Sequence, residues 1–269
     1  MKSDLLQRIG VAIVGIPLIL YICYTGGFLL FILLGLISII GMWEYNSMLV
    51  KTSPFIRLLD VLISFVVFII TTNIFGNDLV ELVATGLLFS LLIIKFIIRV
   101  ALYTNPEESK IYLRPFWGWF YTGFLPGLIY RLGSQYSKQQ YLLILVVLIW
   151  ITDSAAYFIG MKFGKHRGIF KVSPKKSLEG FLAGLIMPFL AVVIINKYLA
   201  MNDIKNLLIL AFCAGVIGQM GDLLESKLKR TAGVKDSSNF IPGHGGVLDR
   251  FDSLLLAAPV FWIILKLIP

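Results

Sequence analysis

The chain has 269 residues, 58% of them hydrophobic and 14% charged, with a mean hydropathy of +0.88 and a net charge of +9. A soluble domain carries about a quarter charged residues, so this composition excludes an ordinary water-soluble enzyme and describes an all-α, polytopic integral membrane protein. Its two cysteines, Cys23 and Cys213, both fall inside apolar runs and read as small buried hydrophobes rather than ligands or a disulfide.

A helix needs about 20 apolar residues to span a bilayer, and nine segments qualify: 9–25, 27–43, 59–76, 79–99, 115–131, 141–161, 178–198, 206–224 and 253–268. Lys2 and Arg8 precede the first, but no small-x-small cleavage pattern follows, so it reads as an uncleaved helix. Gly26-Gly27 marks a tight turn between the first two. In the fifth, Trp117, Trp119, Tyr121 and Pro126 also suit an interfacial or re-entrant segment. Residues 1–140 read as membrane scaffold: Glu44, Asp60, Glu81, Glu107 and Glu108 stand at segment ends or in loops, where solvation makes them unremarkable.

With the N-terminus in the cytoplasm, nine spans put 19 of the 24 Lys and Arg on the cytoplasmic side, the asymmetry of the positive-inside rule. That side then holds the loops 162–177 and 225–252 and faces away from Pro269. The expected setting is the cell's inner (plasma) membrane, crossed many times. Topology and contact with anionic lipid account for the basic residues of the first half, but not for those of the last two cytoplasmic loops.

From residue 141 on, the polar residues change character. Asp153 sits inside an apolar run, where an ionised side chain costs at least about 2.5–3.5 kcal/mol; it either bonds a neighbouring helix or walls a wet cavity. The 162–176 loop carries six Lys/Arg and His166 with no acid before Glu179. Its end, Ser173-Pro174-Lys175-Lys176-Ser177, has the form of a helix start, with Ser173 as cap and Pro174 in the first turn. Such an N-terminus beside Lys175 and Lys176 suits phosphate.

Further on, Asp222, Glu225, Ser226 and Lys229 share one face of a helix at i, i+3, i+4 and i+7. Either that face is solvated or, because the helix leaves the bilayer here, it forms a metal site. A loop with Gly243, His244, Gly245 and Gly246 follows, its glycines permitting positive φ and close amide approach to an anion. His244 bonds a phosphate or carboxylate, or only shapes the turn. Beyond it, Asp249 and Asp252 share a helical face from which Arg250 turns away.

Ser226-x-Leu-Lys229-Arg230, four free residues, Lys235-Asp236, then Pro-Gly-His244-Gly245-Gly246-Val-Leu-Asp249-Arg250-Phe-Asp252 resembles the motif of the phosphatidate cytidylyltransferases, or CDP-diacylglycerol synthases, at every fixed position. The block around Lys175 and Lys176 is similar to theirs too, so the resemblance covers about residues 150–253. It implies CTP and phosphatidate as substrates at a lipid bilayer, CDP-diacylglycerol and pyrophosphate as products, and homodimerisation as a candidate assembly, with no nucleic-acid partner. It implies Mg²⁺ on Asp222 and Asp249, with Asp153 and Asp252 as further candidates. Lys229 and Arg230 join these two aspartates as catalytic candidates. Ser173, Lys175, Lys176, Ser226, Lys235, Asp236, His244, Gly245, Gly246 and Arg250 are candidates for substrate binding. Residues 141–269 thereby become the catalytic region. A CTP-dependent lipid kinase has similar needs; a transporter would explain Asp153 but not the 226–252 pattern. The Asp-Gly-x-x-Ala-Arg block of CDP-alcohol phosphotransferases is absent.

Overall fold

The structure, a computed structural model, describes residues 2–49, 53–74, 76, 114–199 and 203–268, with side chains from Ile9 onward. Among these residues the chain forms helices and no strand: α1 (Lys2–Thr25), α2 (Gly27–Leu49), α3 (Pro54–Thr72), α4 (114–135), α5 (Tyr141–Phe163), α6 (Leu178–Leu199), α7 (Ile204–Thr231) and α8 (Leu248–Leu267). Among the described residues, five helices are long and apolar enough to cross a membrane, namely α2, α3, α5, α6 and α7. The expected 79–99 span lies outside the described residues. The 253–268 segment belongs to α8, whose Asp249, Arg250, Asp252 and Lys266 dilute its apolar character.

Local chemistry sets the boundaries. Gly26 and Gly27 have φ of 62° and 56°, so the chain reverses between α1 and α2 where a side chain would be strained. Ser53 caps α3, its Oγ accepting the amide of Ile56 at 3.4 Å with Pro54 in the first position, so α3 begins five residues ahead of the expected 59. The Ser173-Pro174 start does not form. Residues 167–177 instead fold on themselves, with Gly168 N donating to Pro174 O and Lys176 N to Ser173 O. The cap of α6 is Ser177, whose Oγ accepts the Gly180 amide at 3.1 Å. Two wide π turns interrupt α4 at Phe120–Phe124 and α7 at Cys213–Gly218, the second just ahead of the stripe that begins at Asp222.

One apolar cluster runs from Ile22 on α1 to Phe261 on α8, so both halves of the chain share a core. The segment with the interfacial alternative is a core helix: Trp119, Leu125, Ile129 and Leu132 of α4 are buried. Close approach depends on small residues. A Cβ on Gly180 would stand 2.5 Å from Ala156 O, so α6 lies directly on α5. Likewise a Cβ on Gly221 would stand 2.6 Å from Asp252 O, which brings Asp222 of α7 beside Asp252 of α8. Cys23 and Cys213 are buried free thiols, as expected.

Two scaffold acids correct the solvated reading. Glu44 is 2% exposed and Asp60 0%, because α2 and α3 turn these positions into the bundle. Glu81, Glu107 and Glu108 lie outside the described residues.

Candidate active site

The stripe on α7 is not a solvated surface. Glu225 and Ser226 are buried, and Ser226 Oγ donates to Asp222 Oδ1 at 3.5 Å. Lys229 Nζ stands 2.7 Å from Glu225 Oε2 and 2.6 Å from Asp249 Oδ1, so one ammonium is held between two buried carboxylates. Breaking such a pair from one side strands a charge and costs about 3–5 kcal/mol.

Asp249 is bound at both oxygens. Its Oδ2 accepts the Ser237 amide at 2.9 Å, the Ser237 hydroxyl at 3.0 Å and the Gly246 amide at 2.8 Å. Oδ1 accepts the Lys229 ammonium at 2.6 Å. The Gly-rich loop therefore folds around a carboxylate of its own chain. Gly243 and Gly245 have φ of 73° and 90°, as expected for this loop, whereas Gly246 matters for lack of a side chain. A Cβ there would overlap Ser237 Oγ and stand 2.6 Å from Glu44 Oε1.

Glu44, expected to be an unremarkable solvated acid, completes this loop from α2. Its carboxylate accepts the amides of Val247 and Leu248 at 2.8 and 2.9 Å and the hydroxyls of Ser238 and Ser237 at 2.6 and 3.0 Å. Hydrogen bonds to a charged acceptor contribute about 1.5–3 kcal/mol each. Here they satisfy a buried carboxylate at the N-terminus of α8, where the helix dipole favours negative charge.

Next to this stripe a cleft of about 460 Å³ opens between α5, α6 and the 165–177 loop. Asp153, Lys175, Lys176, Asp222, Tyr157 and Gln219 are among its walls. Lys176 pairs with Asp222 across it. The basic loop and the acidic stripe, 46 residues apart, thus meet in one space.

The remaining candidates spread around this centre. Arg230 ties the two loops together, its Nε donating to Val172 O at 3.4 Å and its Nη1 to Val234 O at 3.0 Å. Arg250 Nη2 donates to His244 O at 2.7 Å, which closes the Gly-rich turn from outside. Lys235 and Asp236 are exposed, and Ser173 lies in the turn before α6. Tyr121 of α4, an interfacial candidate in the sequence, is instead beside the site: its buried hydroxyl has no hydrogen-bond partner yet lies within electrostatic reach of Asp252, Glu225, Asp222 and Asp249.

Electrostatically the centre is an acidic cluster held by lysines. Asp222 repels both Asp153 and Asp252, and Asp252 repels Glu225. Among the described residues no three acidic, His or Cys side chains are grouped closely enough to hold a metal by themselves. Mg²⁺ does not require such a cage: it is held by one or two carboxylates and takes its other oxygens from water and phosphate. The buried Glu225 side chain keeps one oxygen, Oε1, without a hydrogen-bond partner, a hard donor atom that suits a cation.

A family model described as the cytidylyltransferase family matches residues 6–268, nearly the whole chain. The chain belongs to the cytidylyltransferase family. It is 39% identical over 140 residues to a phosphatidate cytidylyltransferase of Staphylococcus haemolyticus, covering 52% of this chain and 54% of that protein. It is 43% identical over 155 residues to one of Thermotoga maritima (55% of each chain) and 44% over 136 residues to one of Bacillus subtilis (50% of each). The chain thus spans about half the length of the curated relatives it matches. Family membership fits a cleft in which lysines and carboxylates face each other.

Proposed function

We propose that this cytidylyltransferase-family protein converts phosphatidate and CTP to CDP-diacylglycerol and pyrophosphate. The observation that carries the reading is the meeting of Lys176 and Asp222 in one cleft beside Lys175 and Asp153. Groups suited to phosphate and groups suited to a hard cation, drawn from two distant motifs, face one space. The names of the relatives supply the substrates.

A phosphatidate oxygen attacks the α-phosphorus of CTP; the new P–O bond forms as the bond to the β-phosphate oxygen breaks, and pyrophosphate leaves. Phosphatidate is already anionic at neutral pH, so no strong general base is needed. Lys175 and Lys176 bind phosphate oxygens in the cleft, and Lys229 holds Asp249 and Glu225 in register. Asp222 and Asp249, with Asp153 and Asp252 nearby, would hold Mg²⁺, which when bound polarises the α-phosphate and screens the leaving charge. Positioning and electrostatics supply most of the acceleration. Label position tests this reading against a CTP-dependent lipid kinase: cytidylyl transfer carries the α-phosphorus of CTP into lipid, whereas a kinase carries the γ-phosphorus.

Changing Lys175 and Lys176 to Gln should raise KM for CTP about tenfold or more, each lost charged contact being worth about 1.5–3 kcal/mol. Insertion should survive, because 13 of the 19 basic residues assigned to the cytoplasmic side lie outside that loop. A misinserted protein, read by thiol labelling of Lys165→Cys, would make the cluster a topology signal instead.

We further propose nine spans in the inner membrane, with the site facing the cytoplasm, where CTP and Mg²⁺ are found. Val234, 37% exposed in the 231–247 loop, reports on this. With Cys23 and Cys213 replaced, Val234→Cys should react with an impermeant thiol reagent in inside-out vesicles and stay unlabelled in intact cells. Labelling in intact cells would reverse the topology.

A further inference from the structure

We propose that Glu44 is a positioning residue for Asp249, acting through the Ser237 hydroxyl; for its catalytic part this rests on the function proposed above. The Ser237 hydroxyl lies 3.0 Å from Glu44 Oε2 and 3.0 Å from Asp249 Oδ2 and shares its single proton between them, so one side chain bridges the two acids. Glu44 also grips both ends of the loop that carries this bridge. It takes Ser238 next to Ser237 at one end, and the amides of Val247 and Leu248 next to Gly246 at the other. Ser237 and Gly246 are the two residues that bind Asp249 Oδ2. Their positions are therefore set from α2, some 200 residues away along the chain.

The consequence concerns which oxygen of Asp249 is free to work. With Oδ2 held by two amides and by its share of the Ser237 hydroxyl, the carboxylate cannot rotate, and Oδ1 is presented toward Lys229 and the acidic cluster. Glu44 itself is 2% exposed and lies behind the loop, so its effect passes through Asp249. Residues that orient a ligand from behind typically change activity 10- to 100-fold.

A double-mutant cycle with Glu44→Gln and Ser237→Ala tests the route. Gln keeps the size of Glu44 but presents an amide donor where the loop also offers donors. Glu44→Gln should lower kcat about tenfold or more, with KM for CTP within about twofold. The double variant should be no more than about twofold worse than Glu44→Gln alone, because both changes cut one connection. An unchanged kcat, or losses that multiply, would overturn the proposal. Should Glu44→Gln fail to insert, Ser237 decides: Ser237→Ala lowers kcat and Ser237→Thr, which keeps the hydroxyl, restores it. Full activity of Ser237→Ala, or failure of Thr to restore it, overturns the bridge.

A second measurement does not depend on turnover. Phe240 is 62% exposed in the tethered loop. In a background lacking Cys23 and Cys213, Phe240→Cys should react with a thiol reagent several-fold faster when Glu44 is Gln. If the parent protein releases no pyrophosphate from any nucleotide, the proposed function fails and the labelling rates alone judge the tether. Equal rates in the two proteins would refute it.

Discussion

Asp249→Asn should reduce turnover about 10²–10³-fold or more, while the protein still inserts in the membrane. The two amides at Oδ2, with a share of the Ser237 hydroxyl, fix the amide oxygen of Asn in that place, so the amide NH₂ must turn toward Lys229. A donor then faces an ammonium, and the oxygen proposed to serve a cation is gone. Hard cations favour carboxylate over amide oxygen. Asp222→Asn should behave alike, and the double variant should be scarcely worse than either single one if both carboxylates serve one ion. Initial rates at ordinary Mg²⁺ check this, and near-normal activity of Asp249→Asn would remove Asp249 from the site.

Lys229→Met should damage stability as well as activity. It leaves the Glu225 side chain, 1% exposed, and that of Asp249, 4% exposed, without their shared cation. A buried pair broken from one side costs about 3–5 kcal/mol, roughly a 6–20 °C fall in thermal midpoint for a chain of this size. Lys227→Met, on the exposed side of the same helix, is the control and should stay within about 0.5 kcal/mol of the parent. Equal midpoints for the two variants would mean that Lys229 does not carry the buried charge.

The contrast between two Ser-Pro pairs shows where the sequence was readable. Ser173-Pro174 has the form of a cap and is none, whereas Ser53-Pro54, not singled out, caps α3. After Pro54 the apolar pattern begins at once. After Pro174 come two lysines and Ser177, and the nearer serine takes the cap while the preceding turn bonds to itself. The stripe of Asp222, Glu225, Ser226 and Lys229 was legible because helical periodicity is local. Its burial was the less obvious outcome, imposed by α8 lying against Gly221.

Glu44 was not legible for the opposite reason. Between Trp43 and Tyr45, at the end of an apolar helix, it has the form of an ordinary interfacial acid. Its partners are 193 to 204 residues distant, and only the packing of α2 against the 237–248 segment gives it a role. The Gly-rich loop has the form of an anion cradle, and the Gly246 amide serves Asp249 while the next two serve Glu44. A glycine pattern says that a backbone approaches an anion closely; it does not say whose anion.

Pyrophosphate release by the purified protein, with CTP, UTP, ATP and GTP in turn and with and without phosphatidate, tests the central claim most directly. Release that needs both CTP and phosphatidate, and yields CDP-diacylglycerol in equal amount, is the expected result. Pyrophosphate formed without lipid, or no pyrophosphate from an intact membrane-inserted protein with CTP and phosphatidate together, would contradict it.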